Sequence, residues 1–102
     1  SNNWTILSQK TQIRSKNLRV QKLIIYPYSL SNSLVKEAGC KLGFKLLLTK
    51  EVKKATIIIG LKKHLKHNFK LRRLAEKRNI TVFNLNQSSI YQLTKLFRSL
   101  IS

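Results

Sequence analysis

Apolar residues in this chain gather in short runs of two kinds, and the alternation between them predicts the fold. Leu23-Ile24-Ile25-Tyr26 is a β-rich run stopped by Pro27, and its continuity predicts a central strand buried on both faces. Ser31 or Ser33 then offers an N-cap, and Leu34, Val35, Ala38 and Leu42 recur at helical spacing until Gly43 closes the helix. Lys45-Leu46-Leu47-Leu48-Thr49 predicts a second strand. After a charged spacer at residues 50–54, Ala55-Thr56-Ile57-Ile58-Ile59-Gly60 is the clearest strand of all. A loop holding His64, His67 and Asn68 leads into a helix over residues 69–79. There Leu71, Leu74, Ala75 and Arg78 share one face, and Lys70, Arg73 and Lys77 lie on another. Ile80-Thr81-Val82-Phe83-Asn84-Leu85 predicts a fourth strand. Ser88 or Ser89 then caps a last helix with Ile90, Leu93, Leu96, Phe97, Leu100 and Ile101 on its apolar side.

The order βαββαβα predicts an α/β domain over residues 20–102: a small three-layer fold with a four-stranded, mostly parallel sheet and helices on both faces. Parallel neighbours need right-handed crossovers, which suggests the strand order 2-1-3-4. Residues 1–19 mix Ser, Asn, Gln, Thr and Lys with scattered apolar positions and read as a linker or N-terminal arm, with Trp4 as an anchor back onto the domain in preference to a base-stacking residue. In such a sheet the carboxyl ends of strands 1 and 3 flank the point where the winding reverses. Tyr26, Pro27, Tyr28 and Ser29 are therefore expected beside Gly60, Leu61, Lys62 and Lys63, with helix N-termini nearby to offer N–H groups to phosphate.

Charge changes the picture from fold to partner. Of 102 residues, 21 are Lys or Arg and only 3 are acidic (Glu37, Glu51 and Glu76), giving a formal net charge of +18. Residues 62–78 alone hold Lys62, Lys63, Lys66, Lys70, Arg72, Arg73, Lys77 and Arg78 against Glu76. A surface this one-sided repels itself and points to a polyanion, of which nucleic acid is the commonest. A coding bias toward Lys, Ile and Asn explains Lys in place of Arg, but not missing acids.

The same inventory narrows the chemistry. Three scattered glutamates make acid–base catalysis by paired carboxylates improbable, and Cys40, His64 and His67 are too few for a metal site. Cys40 reads as a small buried thiol and the two histidines as polar loop residues. No apolar run reaches the roughly 18 residues of a membrane span. The absence of Met, including at position 1, suggests a piece of a longer protein.

Several pieces together resemble one region of a known family. They are residues 23–28 with Ser29-Leu30-Ser31, Lys54-Ala55 before the strand that ends in Gly60-Leu61, Lys70-Leu71-Arg72 running to Ala75, and Ile80-Thr81-Val82-Phe83 leading to the Ser88 helix. They look like the C-terminal region of plastid and cyanobacterial AAA-type ATPases related to the stage III sporulation protein AA, over about residues 19–101. Some members of that family carry a terminal single-stranded nucleic-acid-binding domain named for its Arg-x-x-x-His pair. The resemblance implies a plastid-encoded, stromal protein and a module appended to an ATPase core. The chain itself contains neither a Gly-x-x-x-x-Gly-Lys-Ser/Thr loop nor an Arg-x-x-x-His pair, so ATP hydrolysis cannot be assigned to these residues.

The expectation is therefore a nonenzymatic module, without metal or cofactor, that binds RNA or DNA through backbone phosphates. Its contacts would be Lys62, Lys63, Lys66, Lys70, Arg73 and Lys77, with Tyr28 as a stacking residue. Arg72 and Arg78, toward the core side of their helix, are candidates to tie it to the sheet or to read a phosphate. Tyr91 is expected to pack. Two other readings stay open: a protein-interaction module docking the ATPase on an acidic partner, and a small-nucleotide sensor at the switch point.

Overall fold

The computed structural model describes residues 23–101, so the expected arm over residues 1–19 and the role of Trp4 lie outside the described residues. Within it the strands are β1 (Ile24–Tyr28), β2 (Leu47–Leu48), β3 (Ile57–Leu61) and β4 (Thr81–Leu85). The helices are α1 (Asn32–Lys41), α2 (Lys62–Leu65), α3 (Phe69–Arg78) and α4 (Ile90–Ile101), with a short 3-10 turn at Val52–Lys54. All strand pairs are parallel and the sheet order is β2-β1-β3-β4, as expected.

The continuous apolar runs are explained by two cores. Ile57 and Ile59 point with Leu23, Ile25, Phe83 and Leu85 to one face, where Val35 and Ala38 of α1 and Leu93, Phe97 and Leu100 of α4 cover them. Ile58 points the other way, to Leu65 of α2, Leu71 and Ala75 of α3, and Ile80. Period-two alternation thus feeds both layers from one strand. Each fully buried Ile or Leu contributes on the order of 1.5–3 kcal/mol.

β1 runs through Pro27 instead of stopping before it. The carbonyls of Leu23 and Ile25 accept bonds from Leu47 and Thr49 on the β2 side, so odd positions of β1 face β2. β2 is only two residues long and pairs with Ile24 and Ile25, so Pro27 faces a side where β2 has already ended. Its missing N–H therefore removes no bond from the ladder.

The helix ends are set by local chemistry. Ser31 Oγ accepts from Leu34 N at 3.1 Å to start α1. The helix closes in a Schellman motif: Phe44 N donates to Gly39 O at 2.8 Å, Gly43 N donates to Cys40 O at 3.1 Å, and Gly43 adopts φ +74°. α3 ends the same way with Asn79 at φ 56° and Ile80 N donating to Ala75 O at 2.9 Å. For α4, Ser89 Oγ accepts from Gln92 N at 3.2 Å, while Gln92 Oε1 accepts from Asn86 N at 3.1 Å and Gln87 N at 3.2 Å, ordering the turn before the helix.

Candidate functional site

β1 and β3 lie side by side, and their chains wind away in opposite directions: β1 through α1 to β2, and β3 through α2 and α3 to β4. The switch point between them is where Tyr28 pairs with Gly60. The approach there is close, since a Cβ on Gly60 would stand 2.8 Å from the Tyr28 carbonyl oxygen and 3.1 Å from Leu65. Ser29, immediately after, turns the chain at φ 59° toward the start of α1.

The expected loop after β3 is instead a one-turn helix, α2, set directly on the end of the strand. Leu65 is its only buried residue and fills the second core beside Ile58, which holds the turn in place. Lys62, Lys63 and His64 of that turn are exposed, as are Lys66 and His67. Lys70, Arg73 and Lys77 follow at i, i+3 and i+7 on the outward side of α3 and are also exposed. Six expected contact residues therefore share the outer surface of one layer, with Arg72 half-buried on its flank. Among the described residues the one ion pair is Lys54 with Glu51, so no carboxylate neutralises these cations at ion-pair distance.

Several expected side-chain placements differ in the structure. Tyr28, expected as a stacking residue, sits half-buried against the second core, and its hydroxyl accepts from Asn68 Nδ2 at 2.9 Å. Tyr26 and Tyr28 are two residues apart, so the pleat sends both to the same face, against the second core. Arg78 is exposed, because it is the last residue of α3 and its long side chain reaches past the packed face into solvent. Tyr91 does not pack but is 68% exposed. It lies two residues, about 200° of helix, from the fully buried Leu93.

Phe69 carries no role in the sequence-based expectation, yet it is 71% exposed at the first position of α3, among the cations. The same 200° offset, here from the buried Leu71, places it on the outer side. That spacing is the signal in the sequence that could have found it.

Cys40 is also exposed, against the expectation of a buried thiol. It occupies the last turn of α1, a helix of 10 residues that begins beside the switch point. At a rise of about 1.5 Å per residue, Cys40 stands about 12 Å along the helix axis from the start of α1.

A family model described as PTPase, phosphotyrosine protein phosphatase, matches residues 23–101. The chain belongs to that family. It is also 29% identical over 100 residues to the uncharacterized protein ycf45 of Porphyra purpurea, an alignment that covers 96% of this chain and 18% of the relative. The chain thus spans about a fifth of that relative's length. Neither description names an ATPase. No solved structure matches the chain. Among the described residues, no helix is long and apolar enough to cross a membrane, and no three His, Cys, Asp or Glu side chains come together as a metal site.

Proposed function

We propose that this domain binds nucleic acid through backbone phosphates, on the α2–α3 surface, without catalysing a reaction. The observation that carries the reading is the exposed row Lys62, Lys63, Lys66, Lys70, Arg73 and Lys77, with no carboxylate among the described residues at ion-pair distance from any of them. Unpaired cations at this density release counterions from a phosphate backbone, and that release drives binding with little regard to sequence. Arg72, on the flank of the row, adds a guanidinium able to fork onto a phosphate.

The family description offers phosphotyrosine hydrolysis as a competing reading. Hydrolysis through a thiol needs a thiolate poised where the phosphate binds. Cys40 is the chain's single cysteine, and it stands at the far end of α1 from the switch point. On this reading the site residues would recognise a phosphate without hydrolysing it. In the longer protein, the module's place is beside an ATPase core in a plastid, as the family resemblance implies. There the α2–α3 surface would hold the substrate polymer while the core does work on it.

The test is fluorescence anisotropy of labelled single-stranded RNA, single-stranded DNA and duplex DNA across a salt series, comparing the native chain with Lys66→Glu/Lys70→Glu/Arg73→Glu. Salt-steep binding weakened about tenfold or more by the triple change, roughly 1.4 kcal/mol, is expected. Binding no better than that of an unrelated protein of equal charge, and indifferent to the triple change, would overturn the reading in favour of a dock for an acidic protein.

A further inference from the structure

We propose that Phe69 is a base-stacking residue and that the polymer bound on the α2–α3 surface is single-stranded. The inference rests on the nucleic-acid reading above and adds the form of the ligand. At 71% exposure Phe69 is the most exposed large apolar side chain among the described residues, and it belongs to neither core. An isolated exposed aromatic is ordinary; its surroundings set this one apart.

Arg72 and Arg73 follow Phe69 on α3 by three and four residues, the helical spacings that bring side chains together, and Lys66 lies in the turn just before the helix. The ring therefore lies inside the cationic row. Its backbone is fixed from two sides, because Asn68, the preceding residue, caps α3 through Leu71 N at 3.0 Å and is held by the Tyr28 hydroxyl at 2.9 Å. A ring on an anchored first turn loses little freedom when a base settles on it.

Duplex bases already stack on one another and present only their edges. A single strand presents open base faces, and a platform of aromatic rings among cations is the surface that captures them without reading sequence. Cations alone would bind both forms, so the aromatic is what distinguishes them. Arg73 at i+4 is placed to take the phosphate next to the stacked base.

The experiment compares anisotropy binding of equal-length single-stranded RNA, single-stranded DNA and duplex DNA by the native chain, Phe69→Ala, Tyr91→Ala, and Phe69→Trp in a Trp4→Phe background. Tyr91 is the control, an equally exposed aromatic on the helix that covers the opposite face of the sheet. Phe69→Ala is expected to weaken single-strand binding about fivefold or more, within the range of one stacked base, and to leave duplex binding within about twofold. Tyr91→Ala is expected to change neither. Phe69→Trp is expected to keep single-strand affinity and to lose fluorescence as the strand binds.

The inference is overturned if Phe69→Ala leaves single-strand affinity unchanged, if it weakens single strands and duplex alike, or if Tyr91→Ala does the same damage. Should the triple charge reversal abolish binding while Phe69→Ala does nothing, the phosphate reading stands and the stacking role falls, leaving Phe69 as an anchor for a protein. If the native chain binds no polymer, both fall together.

Discussion

The hydroxyl of Tyr28, at the carboxyl end of β1, accepts a 2.9 Å hydrogen bond from Asn68 Nδ2, while Asn68 Oδ1 accepts from Leu71 N at 3.0 Å to cap α3. One asparagine thus ties the switch-point strand to the first turn of the basic helix, across 40 positions of sequence. Removing the hydroxyl in Tyr28→Phe loses a part-buried neutral bond, expected to cost about 0.5–1.5 kcal/mol. Asn68→Ala loses the cap as well, at about 1–2 kcal/mol. Urea titrations of the single and double variants check this. A double variant no less stable than Asn68→Ala is the expected result, because both bonds run through the one amide.

Gly60 and Gly39 are both buried, yet they should respond differently to a methyl group. At Gly60 the added Cβ meets the backbone oxygen of Tyr28 at 2.8 Å, and the paired strands cannot part without breaking the ladder. Gly60→Ala is therefore expected to destabilise by about 1–3 kcal/mol. At Gly39 the added carbon runs into the side chain of Leu46, which is half-buried and packed against the first core and must shift to make room. The helix propensity regained, about 1 kcal/mol, offsets that movement. Gly39→Ala is expected to melt within a few degrees of the native chain in a thermal scan, and Gly60→Ala well below it.

Lys54 Nζ lies 2.9 Å from Glu51 Oε2, and the hydrogen bond and charge of Glu51 raise the Lys54 pKa above its usual 10.5, with desolvation opposing only slightly. A raised folded-state pKa means that the contribution is complete below the unfolded value and disappears as pH climbs through the folded one. Both side chains are about two-thirds exposed, so salt screens what is gained. The stability difference between the native chain and Glu51→Gln should be small and constant through the neutral range, and should shrink only in strongly alkaline buffer. Urea midpoints at several pH values measure it.

Where the chemistry of a residue is local or its burial two-sided, the sequence was a good guide to the structure. The run Ile57-Ile58-Ile59 announces a strand covered on both faces, and the caps Ser31 and Ser89 stand where helices start. The strand order 2-1-3-4 is compatible with right-handed crossovers but not dictated by them, and the structure has that order. Pro27 misled because its tolerance depends on where β2 ends, a fact about a neighbour 20 positions away. α2 was invisible because a single turn with one buried residue, Leu65, has no periodicity to read. The hydrogen bond that ties Tyr28 was not legible because its partner, Asn68, arrives only through folding. Phe69 and Tyr91 were different: their angles from Leu71 and Leu93 turn them outward, a phase legible in the sequence.

If the α2–α3 surface tracks phosphates, the position of a lysine must matter and not merely its charge. Lys36 on α1 and Lys70 on α3 are both exposed, but their helices cover opposite faces of the sheet. Lys36→Ala and Lys70→Ala lower the net charge equally, and a purely global attraction would penalise them alike. Displacement of condensed counterions is local, so removing one lysine that pairs with a phosphate should flatten the plot of log affinity against log salt by about 0.7 for a single strand or about 0.9 for a duplex. Lys70→Ala is expected to show that change in slope and Lys36→Ala to keep the native slope. Equal slopes for the two variants would mean that the charge acts as a diffuse field, and the row of cations would lose its claim to be the binding surface.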